Sequence, residues 1–185
     1  MRTLTTTADL EASLDHLRSA PTDVGTLDMI VRRPDTGVRE ILDEGTLHEA
    51  DGLVGDNWLS RATSRAIADG RHLDAMITVM SARMVGLLGD TDDVRAQAGD
   101  QLYVDLDISH DNLPAGTRLA IGEEAILEVT AKPHAGCKKF LARFGADAVA
   151  FVNGELGTGM RLRGLNARVV RGGVVRRGDV VRRIG

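Results

Sequence analysis

Short runs in which apolar and polar residues alternate, separated by glycine-containing turns, dominate this sequence. Leu27, Met29 and Val31 alternate with polar neighbours, which is the pattern of a strand with one buried face. Similar runs predict strands at 27–31, 38–42, 75–80, 102–106, 118–121, 125–131, 167–171 and 180–184. Because many short strands without regular strand–helix alternation are typical of barrels and sandwiches, the sequence predicts a mainly β protein of the α+β class with a few helices.

The first segment of the chain predicts a helix. Leucines recur at helical spacing within residues 4–19, and Thr6 or Thr7 can cap its start. We therefore expect an N-terminal helical appendage over residues 1–22, packed against a β domain over residues 23–185.

Further helices and loops follow from composition and glycine content. Helical segments are expected at 59–69, 82–88, 90–98 and 138–152, the last broken at Gly145. Two glycine-containing stretches, 43–57 and 154–159, are predicted to be loops. The Gly172-Gly173 pair predicts a hairpin that joins 167–171 to 174–175.

Composition excludes several classes of protein. The chain has 185 residues and is 43% apolar, which is enough for one real core. No apolar run approaches the length of a membrane span, and the N-terminus lacks the features of a signal peptide. The single cysteine excludes an internal disulfide, so we expect a reducing cytoplasm. Aromatic residues make up only 3%, too few for a nucleic-acid stacking platform.

Positive charge is concentrated at the end of the chain. Residues 161–185 hold eight arginines and one acidic residue, Asp179. A basic segment of this kind can bind polyanions. These arginines alternate with valine, however, so we interpret them as the solvent-facing side of strands and expect no nucleic-acid partner.

The densest group of reactive side chains surrounds the only cysteine. Lys132, Lys138 and Lys139, the three lysines of the chain, lie within eight residues of one another together with His134 and Cys137. A cysteine at the start of a helix with cationic neighbours favours the thiolate, which can act as a nucleophile or metal ligand. The alternative interpretation is a buried, inert cysteine.

Four stretches, in order, resemble the MOSC domain, the family named for the C-terminal domain of molybdenum cofactor sulfurases. Residues 125–130 and then 136–140, Gly-Cys-Lys-Lys-Phe, resemble its core. The other three are Gly-Leu-Val-Gly-Asp at 52–56, the segment 106–122 and the segment 164–179. The resemblance covers residues 24–184.

This resemblance implies a closed mixed β-barrel similar to the pyruvate kinase β-barrel domain. It implies molybdenum-cofactor binding or sulfur transfer, with Cys137 at the family's cysteine position as a persulfide carrier or a molybdenum ligand. The chain departs from the family in carrying Gly99-Asp100-Gln101 where a glycine-arginine-asparagine triplet is common, and Gly136 where proline often precedes the cysteine. The family's pyridoxal-phosphate desulfurase domain is missing, so pyridoxal phosphate is not expected here.

The resulting site hypothesis gives His134 and Cys137 the catalytic roles, with His134 orienting the ligand or moving a proton. The expected cofactor-binding residues are Asp56, Asn57, Lys132, Lys138, Lys139 and Arg143. The expected ligand is molybdopterin or another small anion, and a sulfur donor or a molybdoenzyme is the expected partner. The alternative is a non-catalytic module that binds the molybdenum cofactor or an anionic metabolite.

Overall fold

Seven strands close into a mixed β-barrel in this computed structural model, which describes residues 4–185. In chain order the strands are β1 (Val24–Arg32), β2 (Glu40–Leu42), β3 (Glu44–His48), β4 (Gly52–Leu53), β5 (Ile77–Ser81), β6 (Leu102–Asp105), β7 (Arg118–Ile121), β8 (Ala125–Val129), β9 (Leu165–Arg171), β10 (Gly173–Arg176) and β11 (Val180–Ile184). The order around the barrel is β11-β7-β8-β9-β5-β6-β1, and pairing of β1 with β11 closes it. The pairing of β5 with β6 is parallel and the other pairings in the ring are antiparallel, so the predicted closed mixed barrel is confirmed.

Helices precede the first strand and connect several of the later strands. They are α1 (Thr7–Ala12), α2 (Leu14–Arg18), α3 (Ser64–Ala68), α4 (Ala82–Leu88), α5 (Asp92–Ala96), α6 (Lys138–Asn153) and α7 (Glu155–Gly159), with 3₁₀ turns at Leu59–Arg61 and Arg71–Ala75. As the sequence predicts, α6 is interrupted at Gly145, where φ is +89° and ψ is 174°. Within the described residues, no helix is both long and apolar enough to cross a lipid bilayer.

The apolar side chains form two clusters, one inside the barrel and one between its outer surface and the helices. The inner cluster includes Leu27 and Ile30 of β1, while Met29 and Val31 of the same strand belong to the outer one. A register shift between Leu27 and Met29 moves successive apolar residues to opposite sides of the strand. The expectation that Leu27, Met29 and Val31 share one face is therefore wrong, because β1 is buried on both sides.

The N-terminal segment contributes to the outer cluster. Thr6 caps α1 through a reciprocal bond pair with Asp9, as the sequence predicts. The single helix expected over residues 4–19 is instead two short helices that meet at Ser13. Leu10 is fully buried in the outer cluster.

Three predictions about loops are wrong. The stretch 43–57, expected to be a loop, contains β3 and β4. The stretch 154–159, also expected to be a loop, forms the short helix α7. The predicted hairpin across Gly172-Gly173 does not form, because β9 pairs with β5 and β8 in the barrel whereas β10 pairs with β3 in a separate three-stranded sheet.

The C-terminal arginines do not all face solvent. Those that alternate along β9, β10 and β11 are exposed as predicted, but Arg161 and Arg163 precede β9 and are 8% and 5% exposed. Arg161 donates to the backbone carbonyls of Ile108 and Leu113. The prediction of a solvent-facing side is wrong for these two residues because each has buried hydrogen-bond acceptors.

Replacing Leu10 by alanine should lower the free energy of unfolding by about 2–5 kcal/mol, because it leaves a cavity in the outer cluster. Leu156→Ala is the matched control, since Leu156 is exposed and surface substitutions usually change stability by about 0.5 kcal/mol or less. Urea unfolding of both variants measures the difference. Equal effects would show that α1 does not contribute to the core.

Candidate functional site

The segment that carries the cysteine is held at both ends by side-chain amides. It leaves β8 and runs to the start of α6. Asn166 on β9 donates to the carbonyls of Lys132 and Pro133 at 3.1 Å each. Asn153, at the end of α6, accepts from the Gly136 amide at 2.8 Å and donates to its carbonyl at 3.0 Å. These bonds fix the backbone on both sides of His134.

Cys137 is the N-cap residue of α6 and is exposed. Partial burial acts to raise the pKa of its thiol. The backbone amides of Phe140 and Lys139 and the charge of Arg163 outweigh that effect, so the pKa is lowered from its ordinary value. Amides at a helix N-terminus and nearby cations favour the thiolate. The alternative of a buried cysteine is therefore wrong, because Cys137 is exposed.

A fully buried carboxylate lies behind this segment. Asp100 accepts from Arg163 at 2.6 Å on one oxygen, and its other oxygen lies 2.7 Å from Nε2 of His134. Burial acts to raise the pKa of Asp100, but the charges of Arg163 and His134 and their hydrogen bonds lower it to about 2. Asp100 therefore remains charged and holds two cleft side chains in place.

Arg163 joins the buried carboxylate to the start of α6. Besides Asp100, its guanidinium donates to the Ala98 carbonyl and lies 4.8 Å from the centre of the Phe140 ring. The adjacent Gly164 has φ +119°, and a side chain there would meet the Val79 carbonyl and the His134 ring. Glycine is thus required where β9 begins beneath His134.

A second buried ion pair contributes another arginine to the site. Asp56, at the end of the glycine-containing stretch, accepts from Arg33 at 2.8 Å on each of its two oxygens. Arg33 also donates to the Gly99 carbonyl at 2.7 Å. Both side chains are almost completely buried, so the charge of Arg33 is compensated within the protein.

The arginines of both ion pairs line a cleft of about 540 Å³, a size typical of small-molecule sites. Its charged and titratable lining is mainly cationic. The lining residues of this kind are Arg33, Arg39, Arg61, Arg143, Arg163, Lys139, His134, Cys137 and a single carboxylate, Asp35. We call this the cysteine cleft.

Two arginines of the cysteine cleft have no acidic partner among the described residues. Arg39 donates only to the Val38 carbonyl, and its Nε is buried without a hydrogen-bond partner. Burial lowers the pKa of Arg39, and the charges of Arg143 and Arg33 lower it further. Burial and Arg33 also lower the pKa of Arg61. Clustered cations that lack a counter-charge are the feature expected of an anion-binding site.

The structure brings five of the predicted site residues to the cysteine cleft. They are Asn57, His134, Cys137, Lys139 and Arg143. Asn57 has a buried Oδ1 without a hydrogen-bond partner.

The other three predicted site residues lie elsewhere. Asp56 is bound to Arg33 behind the wall. Lys132 is exposed and lines two neighbouring cavities but not the cysteine cleft. Lys138 is exposed at the first turn of α6 and is absent from the lining of the cleft.

The sequence interpretation missed most of the cleft's charge. Arg33, Arg39, Arg61 and Arg163 come from four separate segments, so their proximity has no local signature. The sequence offered one indication that Asp100 is special, because it stands where the MOSC domains that this chain resembles commonly have an arginine. Its partner Arg163 is one of the C-terminal arginines that the sequence predicts to face solvent.

The described residues include no group of three or more histidine, cysteine or acidic side chains that could hold a metal ion. The described residues therefore give no support for a metal site formed by protein ligands alone. Cys137 could supply at most one thiolate to a metal whose remaining ligands come from a bound cofactor.

Comparison with known proteins shows that this fold is similar to those of several solved structures. No protein-family model matches the sequence, and no curated protein matches it. The YuaD protein of Bacillus subtilis has a similar structure, with a TM-score of 0.58 and 17% identity over 85% of this chain and 94% of that one. YiiM of Escherichia coli has a TM-score of 0.54 and 17% identity, and the match covers 86% of this chain and 70% of that one. YiiM of Geobacillus stearothermophilus has a TM-score of 0.53 and 12% identity, and the match covers 89% of this chain and 74% of that one. YuaD and YiiM are MOSC-domain proteins, so these likenesses support a MOSC-like fold.

Asp100→Asn should destabilise the protein by about 3–5 kcal/mol at neutral pH, because it leaves Arg163 buried without a counter-charge. The pKa of Asp100 falls from 3.8 to about 2 on folding, which contributes about 2 kcal/mol of stability. That contribution is present above pH 3.8 and is lost as the pH falls through about 2. Unfolding of the wild type and variant across this range measures it. Asp35→Asn, at an exposed position, is the control, and an equal effect of both variants would contradict this account.

Proposed function

We propose that this protein transfers sulfur through Cys137, within a MOSC-like domain whose cleft binds an anionic ligand. One observation carries the proposal: the thiol is exposed, has a lowered pKa and lies in a cleft with two uncompensated arginines. A thiolate at neutral pH is the form that attacks sulfur.

The proposed reaction has two displacement steps. The Cys137 thiolate attacks the sulfane sulfur of a donor, a new sulfur–sulfur bond forms, and the donor's own sulfur–sulfur bond breaks with the electron pair leaving on the donor fragment. Cys137 is then a persulfide anion. A nucleophilic acceptor takes the terminal sulfur, and Cys137 leaves as the thiolate.

The residues around the sulfur stabilise the charge at each step. The amides of Lys139 and Phe140 and the charge of Arg163 favour the anion on Cys137. His134, whose ring is held by Asp100 and is 17% exposed, is placed to orient the donor or acceptor. Arg39 and Arg61 offset the repulsion between a thiolate and an anionic reactant.

The molybdenum cofactor fits the same cleft in charge and donor type. Its phosphate would be held by Arg39 and Arg61, and the Cys137 thiolate is a soft ligand of the kind that coordinates such metals. When bound, the cofactor would supply a redox-active metal centre. The buried Asp100 and Asp56 would keep the surrounding arginines in position whether or not the cofactor is present.

A non-catalytic binding module is the second candidate function. It is favoured by the fact that neither Arg39 nor Arg61 forms an ion pair with a carboxylate among the residues that the structure describes, although both line the cysteine cleft. In that case an anionic ligand would bind through the arginines, and Cys137 would contribute little.

Incubation with hydrogen disulfide, followed by mass measurement of the intact protein, tests sulfur transfer. We expect the wild type to gain one sulfur atom on Cys137, and to pass it to cyanide as thiocyanate. The native protein should react faster than the same chain in urea, because folding lowers the pKa of Cys137 and so raises the thiolate fraction. Cys137→Ser should show neither product.

Pyrophosphate binding, measured by calorimetry, separates the two candidate functions. If the native chain forms no persulfide faster than the unfolded one, and Cys137→Ser binds pyrophosphate as well as the wild type, sulfur transfer is contradicted and the binding module is favoured.

A further inference from the structure

A second cavity adjoins the cysteine cleft. It has a volume of about 510 Å³ and shares Arg33, Arg61, Thr78 and His134 with the cleft. We call it the side chamber. Because four lining residues are common to both, a molecule in the side chamber would lie next to one in the cysteine cleft.

The wall between the two cavities is fixed by buried charges. Arg33 is bound to Asp56 by two hydrogen bonds of 2.8 Å, and His134 lies 2.7 Å from Asp100. If Arg33 turned toward a ligand, the buried Asp56 would lose its ion-pair partner, which is costly. The hydrogen bond to Asp100 likewise holds the His134 ring. The residues that the two cavities share are therefore fixed in position.

The side chamber is cationic and contains no acidic lining residue among those the structure describes. Arg33 is compensated by Asp56, which leaves Arg61 and Lys132 as the cations without an ion-pair partner in the described chain. Thr63 adds a hydroxyl group to the lining, and this hydroxyl accepts from the Ala66 amide and can still donate. This combination suits an anion with several oxygen acceptors.

Arg61 connects the side chamber to the reactive sulfur. It lines both cavities, and the charge of Cys137 acts on its guanidinium. Trp58, which also lines the side chamber, is only 6% exposed and is stacked on His72, with near-parallel rings whose centres are 5.8 Å apart. Because Arg61 lines both cavities, it is placed to hold an anion near Cys137.

We propose that the side chamber binds the sulfur donor, and that the donor is a small oxyanion bearing a sulfane sulfur, of the thiosulfate class. The proposal rests on the sulfur-transfer function above and assigns its first reactant. Arg61 and Lys132 hold the oxyanion end, while the cysteine cleft remains available for the anionic ligand near Arg39.

The first step then has a defined leaving group. The Cys137 thiolate attacks the outer sulfur of thiosulfate, the Cys137 sulfur–sulfur bond forms, and the sulfur–sulfur bond of thiosulfate breaks. The electron pair leaves on sulfite, and Cys137 carries the persulfide. No external oxidant or reductant is needed, because the sulfane sulfur moves without a net change of electrons.

Steady-state sulfur transfer from thiosulfate to cyanide tests the assignment in the intact chain. Arg61→Met removes the charge and keeps the aliphatic stem; we expect about a tenfold rise in KM for thiosulfate with kcat changed less than twofold, because a charge-assisted contact to the donor is lost. Lys132→Met, which alters the side chamber but not the cysteine cleft, should raise KM in the same direction. Arg65→Met is the matched control, since Arg65 lies on α3, is 87% exposed in its side chain and lines neither cavity.

The outcomes separate this proposal from the function it rests on. If the wild type accepts sulfur from hydrogen disulfide but Arg61→Met and Arg65→Met have equal KM values for thiosulfate, the side-chamber assignment is overturned and sulfur transfer stands. A rise in KM for Arg61→Met with none for Lys132→Met places the donor in the cysteine cleft and also overturns the assignment. If the wild type reacts with neither donor, both proposals fail.

Discussion

The buried carboxylate of Asp100 is the interaction on which the candidate site depends. It is fully inaccessible to solvent and is held by Arg163 on one oxygen and His134 on the other. Without it, Arg163 would be a buried, uncompensated charge and His134 would lose its fixed position. Arg163 in turn acts on Cys137 and packs against Phe140 of α6. One carboxylate thus links the barrel, the cysteine segment and the helix that begins there.

The arginines around the cysteine cleft divide into two kinds. Arg33 and Arg163 are paired with the buried residues Asp56 and Asp100, so they shape the walls and contribute little net charge. Arg39 and Arg61 have no acidic partner in the described part of the chain, and their pKa values are lowered by burial and neighbouring cations. The first kind is structural support, whereas the second is available to an anion.

Much of the fold could be predicted from local pattern. The alternating runs located most strands, and Ser81 caps α4 as its position before a helix predicts. The local sequence pattern gave wrong predictions where pairing between strands that are distant in sequence decided the structure. Gly172-Gly173 has hairpin chemistry, yet β9 finds its partners in the barrel and β10 pairs with β3. Likewise, the shift in β1 that buries Met29 on the outer side depends on its neighbour β6 rather than on its own sequence.

Local sequence could indicate Cys137 and His134, but it could not indicate the charged side chains that surround them. Cys137 and His134 are close in sequence, and a helix start beside a lone thiol is a local signal. The arginines and Asp100 are distant in sequence and are brought together only when the barrel closes. The three lysines predicted to bind the ligand are exposed, and only Lys139 lines the cysteine cleft. Clustering in sequence therefore singled out a cysteine that is exposed and lines the cleft, but it attributed the positive charge to the lysines, whereas most of that charge comes from distant arginines.

The pH dependence of Cys137 alkylation by iodoacetamide tests the central claim most directly. The rate follows the thiolate fraction, and Cys137 is the only thiol in the chain. Because folding lowers the pKa of Cys137, the native protein should reach its half-maximal rate at a lower pH than the same chain unfolded in urea. A native midpoint equal to or above that of the unfolded chain, or a native protein that is not alkylated, would contradict the claim.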